Sequence, residues 1–274
     1  MKKTILVSLT FIAAIAAGHA QKLAPAKGQK MEAVTTASMK MEVMGQAINN
    51  ETVTTTDLEV KDISSESFLF SNSIKRMVIK GSSMGQELSF DSDKKEDMDG
   101  QIGQPLKGKI GVPQEIQVDK RGKVLKLNDS AADKKNSMSD MMSMGNELAK
   151  GQPYSFVIQL PSRTVKPGDS WTDSIGTSAD LKTVTTYTLK SIGADGAVVS
   201  FTGTLAKNGT MEQNGTEIKI DMTGNSTGES LFDAGTGLVK TSSSTVELKG
   251  NMSVMGQGMP ISATMTAKTV AKKM

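Results

Sequence analysis

Two residue types that carry much of protein chemistry are almost missing from this sequence. Its 274 residues contain no cysteine and a single histidine, His19, which lies within the first twenty residues. Without a thiol or an imidazole, the remaining chain excludes Ser-His-Asp and Cys-His catalysis, zinc sites built on nitrogen or sulfur, and haem held by histidine. We therefore expect a protein that has no cofactor and is not an enzyme.

Aromatic side chains and an excess of either charge are scarce as well. The chain has seven Phe, two Tyr and one Trp, and apart from Lys2 and Lys3 it has 30 basic and 29 acidic residues. Proteins that bind nucleic acid combine basic surfaces with aromatic groups that stack on bases. We expect no nucleic-acid partner here.

The only long apolar run opens the chain. Lys2 and Lys3 precede an apolar stretch, residues 5–17, which is too short to span a bilayer, and Gly18 and Ala20 follow it as a small-residue cleavage site. This pattern predicts a signal peptide over residues 1–20 that is cleaved after Ala20. With no cysteine to acylate and no later apolar run of membrane length, we expect a periplasmic or secreted protein that is not a lipoprotein and has no transmembrane segment after cleavage.

Apolar residues alternate with other residues along most of the remaining chain. The alternation is clearest in residues 32–43, 217–222 and 261–267. A period of two is typical of half-buried antiparallel strands, so the chain is predicted to be all-β and mainly antiparallel. Further strands are predicted around Leu58 and Val60, Phe68 and Phe70, Met77 and Ile79, Leu88 and Phe90, Ile116 and Val118, Leu125 and Leu127, Phe156 and Ile158, Tyr187 and Leu189, Val199 and Phe201, and Val246 and Leu248.

Short turn signals separate these runs. Glycine supplies the positive φ that tight hairpins need, and Asn-Gly and Asp-Gly are the dipeptides that two-residue hairpins favour. The predicted turns are three copies of Met-Gly-Gln at residues 44–46, 84–86 and 255–257, the dipeptides Asp195-Gly196 and Asn208-Gly209, and the longer turns at residues 120–122 and 234–237.

The two halves of the chain share short stretches. Residues 86–91 match residues 216–221, and residues 60–63 match residues 189–192, at offsets of 130 and 129. We interpret these matches as a duplicated β-unit that forms a curved sheet, a half-barrel or a sandwich, with one central helix at residues 132–150. The predicted division is a signal peptide (1–20), a first β-unit (21–127), a helical connector (128–152) and a second β-unit (153–274), and the two units can share one sheet.

Methionine is unusually abundant, with 19 residues in the chain. Its flexible, polarizable side chain fills irregular cores and also lines adaptable binding surfaces. The concave face of a curved sheet would present such residues to a lipid or another apolar ligand, although the same residues also describe a filled core. Trp171 is either a core anchor or a ligand-stacking group. The candidate ligand-binding residues are Met39, Met41, Phe68, Phe70, Met77, Ile79, Ile218, Ile220, Met222 and Trp171.

The thioethers offer a second interpretation, since sulfur is a soft ligand that suits Cu(I). Packing in the protein core is the alternative explanation for the same methionines. The candidate copper ligands are Met138, Met141, Met142 and Met144.

Two motifs carry a family resemblance. Lys-Pro-Gly-Asp-Ser-Trp at residues 166–171 and Phe-Asp-Ala-Gly-Thr-Gly at residues 232–237, with the Lys-Lys start, resemble an uncharacterised family of exported β-rich proteins of Gram-negative bacteria. That family has no established activity, so the resemblance implies no site. The second motif is also similar to a turn of lipoprotein-carrier half-barrels of the LolA type, which concerns the fold and not the function.

These observations favour non-catalytic binding in the cell envelope, with an apolar or lipidic ligand or another envelope protein as partner. Cu(I) binding through methionine and a purely structural envelope component are the alternatives. The sequence does not indicate an oligomeric state.

Overall fold

Within the described part of the chain, twelve β-strands form one antiparallel sheet. The computed structural model describes residues 23–43, 45–83, 86–128, 148–178, 181–213, 216–254 and 256–274. The predicted all-β fold is confirmed, whereas the predicted signal peptide and most of the predicted helical connector lie outside the described residues. The elements are β1 (Lys30–Val43), β2 (Gln46–Ile63), β3 (Ser67–Ser83), β4 (Gln86–Asp91), α1 (Lys95–Asp99), a 3-10 turn (Gln104–Leu106), β5 (Gln114–Asp119), β6 (Val124–Asn128), β7 (Ser170–Ser178), β8 (Leu181–Gly193), β9 (Gly196–Gln213), β10 (Thr216–Phe232), β11 (Val239–Val254) and β12 (Gln257–Lys273).

The strand order makes the sheet continuous and open. It runs β6-β5-β3-β2-β1-β12-β11-β10-β9-β8-β7, and β4 pairs with β3. The first and last strands of the chain, β1 and β12, are neighbours in the middle of the sheet. In the described ranges β6 and β7, at the two ends of this order, form no ladder with each other. A curved single sheet is thus observed and a sandwich is not, while the predicted division into two units stays a prediction.

Hairpins with two-residue turns join many neighbouring strands. Val43 pairs with Gln46, Ser83 with Gln86, and Val254 with Gln257, so the turn prediction for the three Met-Gly-Gln segments is confirmed. Gly45 and Gly256 have φ values of 75° and 81°, a region that favours glycine. We call the end of the sheet with these turns the upper end and the opposite end the lower end.

Three local predictions differ from the structure. Asn208 and Gly209 lie inside β9 and pair with β10, so a turn there is wrong, because pairing along an 18-residue strand outweighs a local turn preference. Phe156 and Ile158 belong to no strand. The two strands predicted around residues 68–70 and 77–79 are a single strand, β3.

The two faces of the sheet differ in composition. On β1 the odd-numbered residues from Met31 to Val43 are Met, Ala, Thr, Ala, Met, Met and Val, whereas the even-numbered residues include Lys, Glu, Thr and Ser. The register continues these faces across the sheet, since Met39 lies opposite Met265. We call the odd-numbered face of β1 and its continuation the inner face, and the other the outer face.

The sheet curls around its inner face at the lower end. Eleven paired strands laid flat would be about 48 Å wide. Nevertheless, Lys123 beside β6 and Asp173 in β7 form an ion pair with an N–O distance of 2.7 Å. The two ends of the sheet therefore meet there. One core, the lower cluster, accordingly contains inner-face side chains from across the sheet, including Met31, Leu58, Phe70, Ile116, Val124, Leu189, Val199 and Phe232.

An irregular segment, residues 148–168, fills this curl, and we call it the plug segment. Tyr154, Val157 and Ile158 are at most 1% exposed. The Tyr154 ring lies 5.1 Å from the Phe70 ring, and its hydroxyl donates to Oδ1 of Asn72 at 2.5 Å. The lower half of the inner face is thus a filled protein core.

Candidate ligand-binding site

A second apolar cluster lies on the inner face above the plug segment, and we call it the upper cluster. Its buried members are Met41, Met222, Leu248 and Ala263, on β1, β10, β11 and β12. Among the described residues, the plug segment contributes none of its members, so only the sheet builds this surface. Half-buried side chains surround the buried ones, namely Met39, Val43, Ile48, Leu205, Ile220, Val246, Ile261 and Met265.

The structure brings together four of the residues predicted to bind a ligand. Met39, Met41, Ile220 and Met222 all belong to the upper cluster. Ile218 lies on the same face of β10 and is 7% exposed. Two further candidates, Met77 and Ile79, lie on the inner face of β3, opposite Thr54 and Thr52 of β2.

Phe68, Phe70 and Trp171 lie apart from these residues, in or against the lower cluster. Phe70 packs on Tyr154, and the Lys120 ammonium lies 3.6 Å from the centroid of the Phe68 ring. Protein groups already occupy the space around these rings. The plug segment therefore divides the predicted surface and leaves the upper cluster as its candidate ligand-facing part.

Trp171 begins an aromatic row on the inner face. Its ring stacks on Tyr187 at a centroid distance of 5.7 Å, and Tyr187 lies 6.3 Å from Phe201. Burial raises the pKa of the Tyr187 hydroxyl, and the nearby Asp173 carboxylate raises it further. The three rings pack against one another, and Trp171 and Tyr187 also pack against the lower cluster.

Small residues continue this row between the two clusters. Gly228 of β10 lies opposite Phe201, Ser244 of β11 lies opposite Gly228, and Ala267 of β12 lies between Ser244 and Ala37. A Cβ added at Gly228 would approach the Phe201 ring to 2.4 Å. Glycine at this position thus permits the Phe201 ring to lie close to β10.

Of the twelve members of the upper cluster, the candidate residues from the sequence include only four, Met39, Met41, Ile220 and Met222. Leu248, Ala263 and Met265 were recognised as strand residues but not as part of a binding surface. Their signal was the same alternation that identified Met39 and Met41. Without the pairing of β1 with β12, the sequence does not show that these strands share one surface.

Three turns hold the plug segment in place, and the first is the turn between β5 and β6. The Gly122 carbonyl accepts a hydrogen bond from the Tyr154 amide at 2.9 Å, and the Arg121 carbonyl accepts one from Leu160 at 3.0 Å. A Cβ at Gly122 would lie 2.5 Å from the carbonyl oxygen of Ile158. Glycine therefore permits the plug segment to pass close to this turn.

The other two turns are the motifs at residues 166–171 and 232–237. The Asp233 carboxylate accepts hydrogen bonds from the Thr236 hydroxyl and amide, both at 2.8 Å, which lowers its pKa. At the end of that motif, the Gly237 carbonyl accepts a hydrogen bond from the Ile158 amide at 2.8 Å. In the other motif the Gly168 amide donates to the Leu189 carbonyl at 2.7 Å. Both motifs thus have a structural role in anchoring the plug segment.

Two wide grooves lie on the outer face and have a different chemistry. One has a volume of about 440 Å³ and is lined by residues such as Lys182, Thr204 and Glu247. The other has a volume of about 770 Å³ and is lined by hydroxyl groups together with Glu51, Glu229 and Lys268. Charged and hydroxyl side chains thus line both grooves, although Val184 and Leu205 add apolar surface to the first.

Within the described ranges, no three His, Cys, Asp or Glu side chains come together as a metal site. No helix there is long and apolar enough to cross a membrane. The candidate copper ligands Met138, Met141, Met142 and Met144 lie outside the described residues. What the upper cluster offers chemically is apolar contact.

Comparison with known proteins supplies a family and a fold. A family model described as a family of unknown function, DUF6263, matches residues 65–239. No curated protein matches the chain. The structure is similar to a solved structure of lipovitellin ("Lipid-protein interactions in lipovitellin"), with 12% identity and a TM-score of 0.52 over 91% of this chain. The match spans 25% of the lipovitellin chain, and at this identity it shows a shared fold.

Two weaker matches are solved structures from Pseudomonas. An outer membrane channel of Pseudomonas putida F1 has 9% identity and a TM-score of 0.25 over 94% of this chain and 100% of its own. OpdQ of Pseudomonas aeruginosa has 8% identity and a TM-score of 0.23 over 91% of this chain and 100% of its own. Scores this low support no conclusion about fold or function.

Proposed function

This chain belongs to the family of unknown function DUF6263, and from that starting point we propose that it is a non-catalytic binding protein that holds an apolar, lipid-like ligand against the upper cluster. The family brings no activity with it, so the proposal depends on the chemistry of the inner face. The ligand would lie across strands β1 and β9–β12, where the buried and half-buried side chains of the upper cluster meet.

The observation that carries the proposal is that an apolar cluster continues on the inner face beyond the plug segment. Below, residues such as Tyr154 and Val157 cover that face. Above, eight apolar side chains of the upper cluster, Met39 and Val246 among them, are only half-buried. Each 100 Å² of such surface that a ligand covers contributes roughly 2.5 kcal/mol to binding before entropic costs. Methionine adapts to ligands of varied shape, which favours a flexible acyl chain.

The shared fold with lipovitellin supports a lipid-like ligand. The lipovitellin structure is described in terms of lipid-protein interactions, and the resemblance extends over 91% of this chain. A curled antiparallel sheet with one apolar face is suited to such a ligand because its strands satisfy their own backbone hydrogen bonds. The similarity supports the class of ligand and not its identity.

The place of action is proposed from the sequence. The charged start, the short apolar run and the small residues before Gln21 are typical of a secretory signal. The absence of cysteine from the whole chain is compatible with an oxidising compartment, since no thiol is left to oxidise. We place the protein in the periplasm or outside the cell.

Two substitutions on neighbouring residues of β11 test the proposal. Val246→Lys places a charge on the upper cluster, whereas Glu247→Lys makes a matched change on the outer face. Burying an unpaired charge under an apolar ligand is costly, so Val246→Lys should weaken binding of a neutral fluorescent fatty alcohol by roughly tenfold or more. Glu247→Lys should leave the affinity unchanged.

Native mass spectrometry of the purified protein identifies the natural ligand class. We expect a lipid-sized mass that disappears after organic extraction, and less of it on Val246→Lys than on Glu247→Lys. Protein that is bare before extraction and equal affinity of the two variants for the alcohol would contradict the proposal. The structural-component alternative would then be favoured.

A further inference from the structure

A separate recess of about 470 Å³ opens at the lower end of the sheet, away from the upper cluster. We call it the basal recess. It lies between the start of the described chain, the β2–β3 turn, the β5–β6 turn and the end of the plug segment. Its lining residues are Leu23, Ala24, Ser65, Lys120, Arg121, Leu160, Pro161, Ser162, Arg163, Thr164 and Val165.

The floor of the basal recess is apolar and firmly held. Leu23 and Val165 are 5% and 7% exposed and belong to the lower cluster, against which Leu160 also packs. Backbone hydrogen bonds fix the surrounding chain, since the Ala24 amide donates to the Thr236 carbonyl at 3.0 Å. The floor can therefore accept an apolar group without rearranging.

The rim of the recess carries three cations. The Arg163 guanidinium donates to the Asp169 carboxylate at 3.1 Å and to the Ser170 carbonyl at 3.0 Å. Arg121 lies 3.6 Å from the Asp119 carboxylate. These contacts hold both guanidinium groups beside the opening.

Lys120 differs from the two arginines. Its ammonium lies 3.6 Å from the centroid of the Phe68 ring, a cation–π contact that fixes the position of the charge. Among the described residues, no carboxylate oxygen lies within the 4.0 Å that defines an ion pair with this ammonium. Three cations against two carboxylates thus leave one net positive charge beside an apolar floor.

We propose that the basal recess binds a fatty-acid carboxylate. The carboxylate would lie beside Lys120 and Arg121, and the first part of the acyl chain would lie on Leu23, Leu160 and Val165. One anionic head on one apolar tail matches both the net charge of the rim and the character of the floor. The volume falls within the range of small-molecule sites, which is roughly 300–1,000 Å³.

Backbone amide NMR on the whole protein tests this site with three probes of equal chain length. Decanoate should shift the amides of Arg121 and of residues 162–165, whereas decanol and decyltrimethylammonium should bind there roughly tenfold more weakly or worse. Raising the salt concentration should weaken only the binding of decanoate, because salt screens its attraction to the cations of the rim. Equal affinity of the three probes at these amides, or decanoate shifts confined to the upper cluster, would overturn the proposal.

Substitutions separate this site from the upper cluster. Lys120→Gln combined with Arg121→Gln should reduce decanoate affinity by roughly tenfold while leaving decanol unaffected. Lys182→Gln, an exposed change on the outer face, is the matched control and should have no effect. Lys120→Arg keeps the charge and should retain most of the affinity for decanoate. This result would show that the double glutamine variant loses affinity through its charge and not through a disturbed turn. Val246→Lys should leave decanoate binding at residues 162–165 intact, so failure of the upper-cluster proposal would not affect this one.

Discussion

The pH dependence of stability can report how tightly the plug segment is packed. The chain has only two tyrosines, Tyr154 and Tyr187. Burial raises the pKa of both hydroxyls, and for Tyr187 the Asp173 carboxylate adds to the effect. In the unfolded chain each should titrate near the ordinary tyrosine value of about 10.

The sign of the effect follows from these directions. Because the folded pKa of each tyrosine is above its unfolded value, the stabilisation is fully present below about pH 10 and is lost as the pH rises further. At about pH 11 the unfolded chain has released protons that the folded chain keeps. At that pH each tyrosine lowers the free energy of unfolding by about 1.4 kcal/mol relative to neutral pH, and the two together lower it by about 3 kcal/mol.

Urea unfolding at about pH 8 and about pH 11 measures this loss, with Tyr154→Phe and Tyr187→Phe as variants. Lysine side chains also titrate in this pH range, but they do so equally in the parent chain and in both variants, so their contribution cancels in the comparison. Each substitution should reduce the pH-dependent loss by about 1.4 kcal/mol, whatever its effect at neutral pH. Tyrosinate absorbance that appears near pH 10 while the far-UV circular dichroism is unchanged would refute the burial of these hydroxyls.

Two further substitutions test the curl and the aromatic row by urea unfolding. Lys123→Met should cost about 1–2 kcal/mol, because it leaves the half-buried Asp173 carboxylate without its cation, and no loss would show that this pair does not hold the ends of the sheet together. Gly228→Val should cost about 1–3 kcal/mol, because its side chain would overlap both the Phe201 ring and the Ser243 carbonyl oxygen. Phe201→Leu should therefore cost less stability in the Gly228→Val chain than in the parent chain, and an equal cost in both would contradict the contact.

The strands were predictable because their signal is local. Alternation places Met39 and Met41 on one face of a strand whatever the strand pairs with, and the Met-Gly-Gln turns need only a residue that adopts positive φ. The same locality explains the error at Asn208-Gly209. There the turn preference of two residues competes with a ladder formed by two long strands, and the ladder prevails.

The candidate site was predictable only in part. Alternation selects Phe70 and Met41 equally, because both are apolar residues at inward positions. The structure separates them, since Tyr154 of the plug segment packs on Phe70 while Met41 lies in the upper cluster. The basal recess has no local signal, because it brings together Leu23, Lys120 and Val165, which are far apart in the chain.

Composition and local pattern alone establish an all-β protein with alternating strands, glycine turns, no thiol and a single histidine, His19, near its start. These properties depend on composition and on neighbours one or two positions away. The three-dimensional packing determines which apolar residues form a filled core and which form a candidate binding surface. Which residues are covered depends on how the sheet curves. Long-range contacts impose that curvature, and one of them joins Lys123 and Asp173, which are fifty residues apart in the chain. No local sequence pattern encodes the distance between the two ends of a sheet.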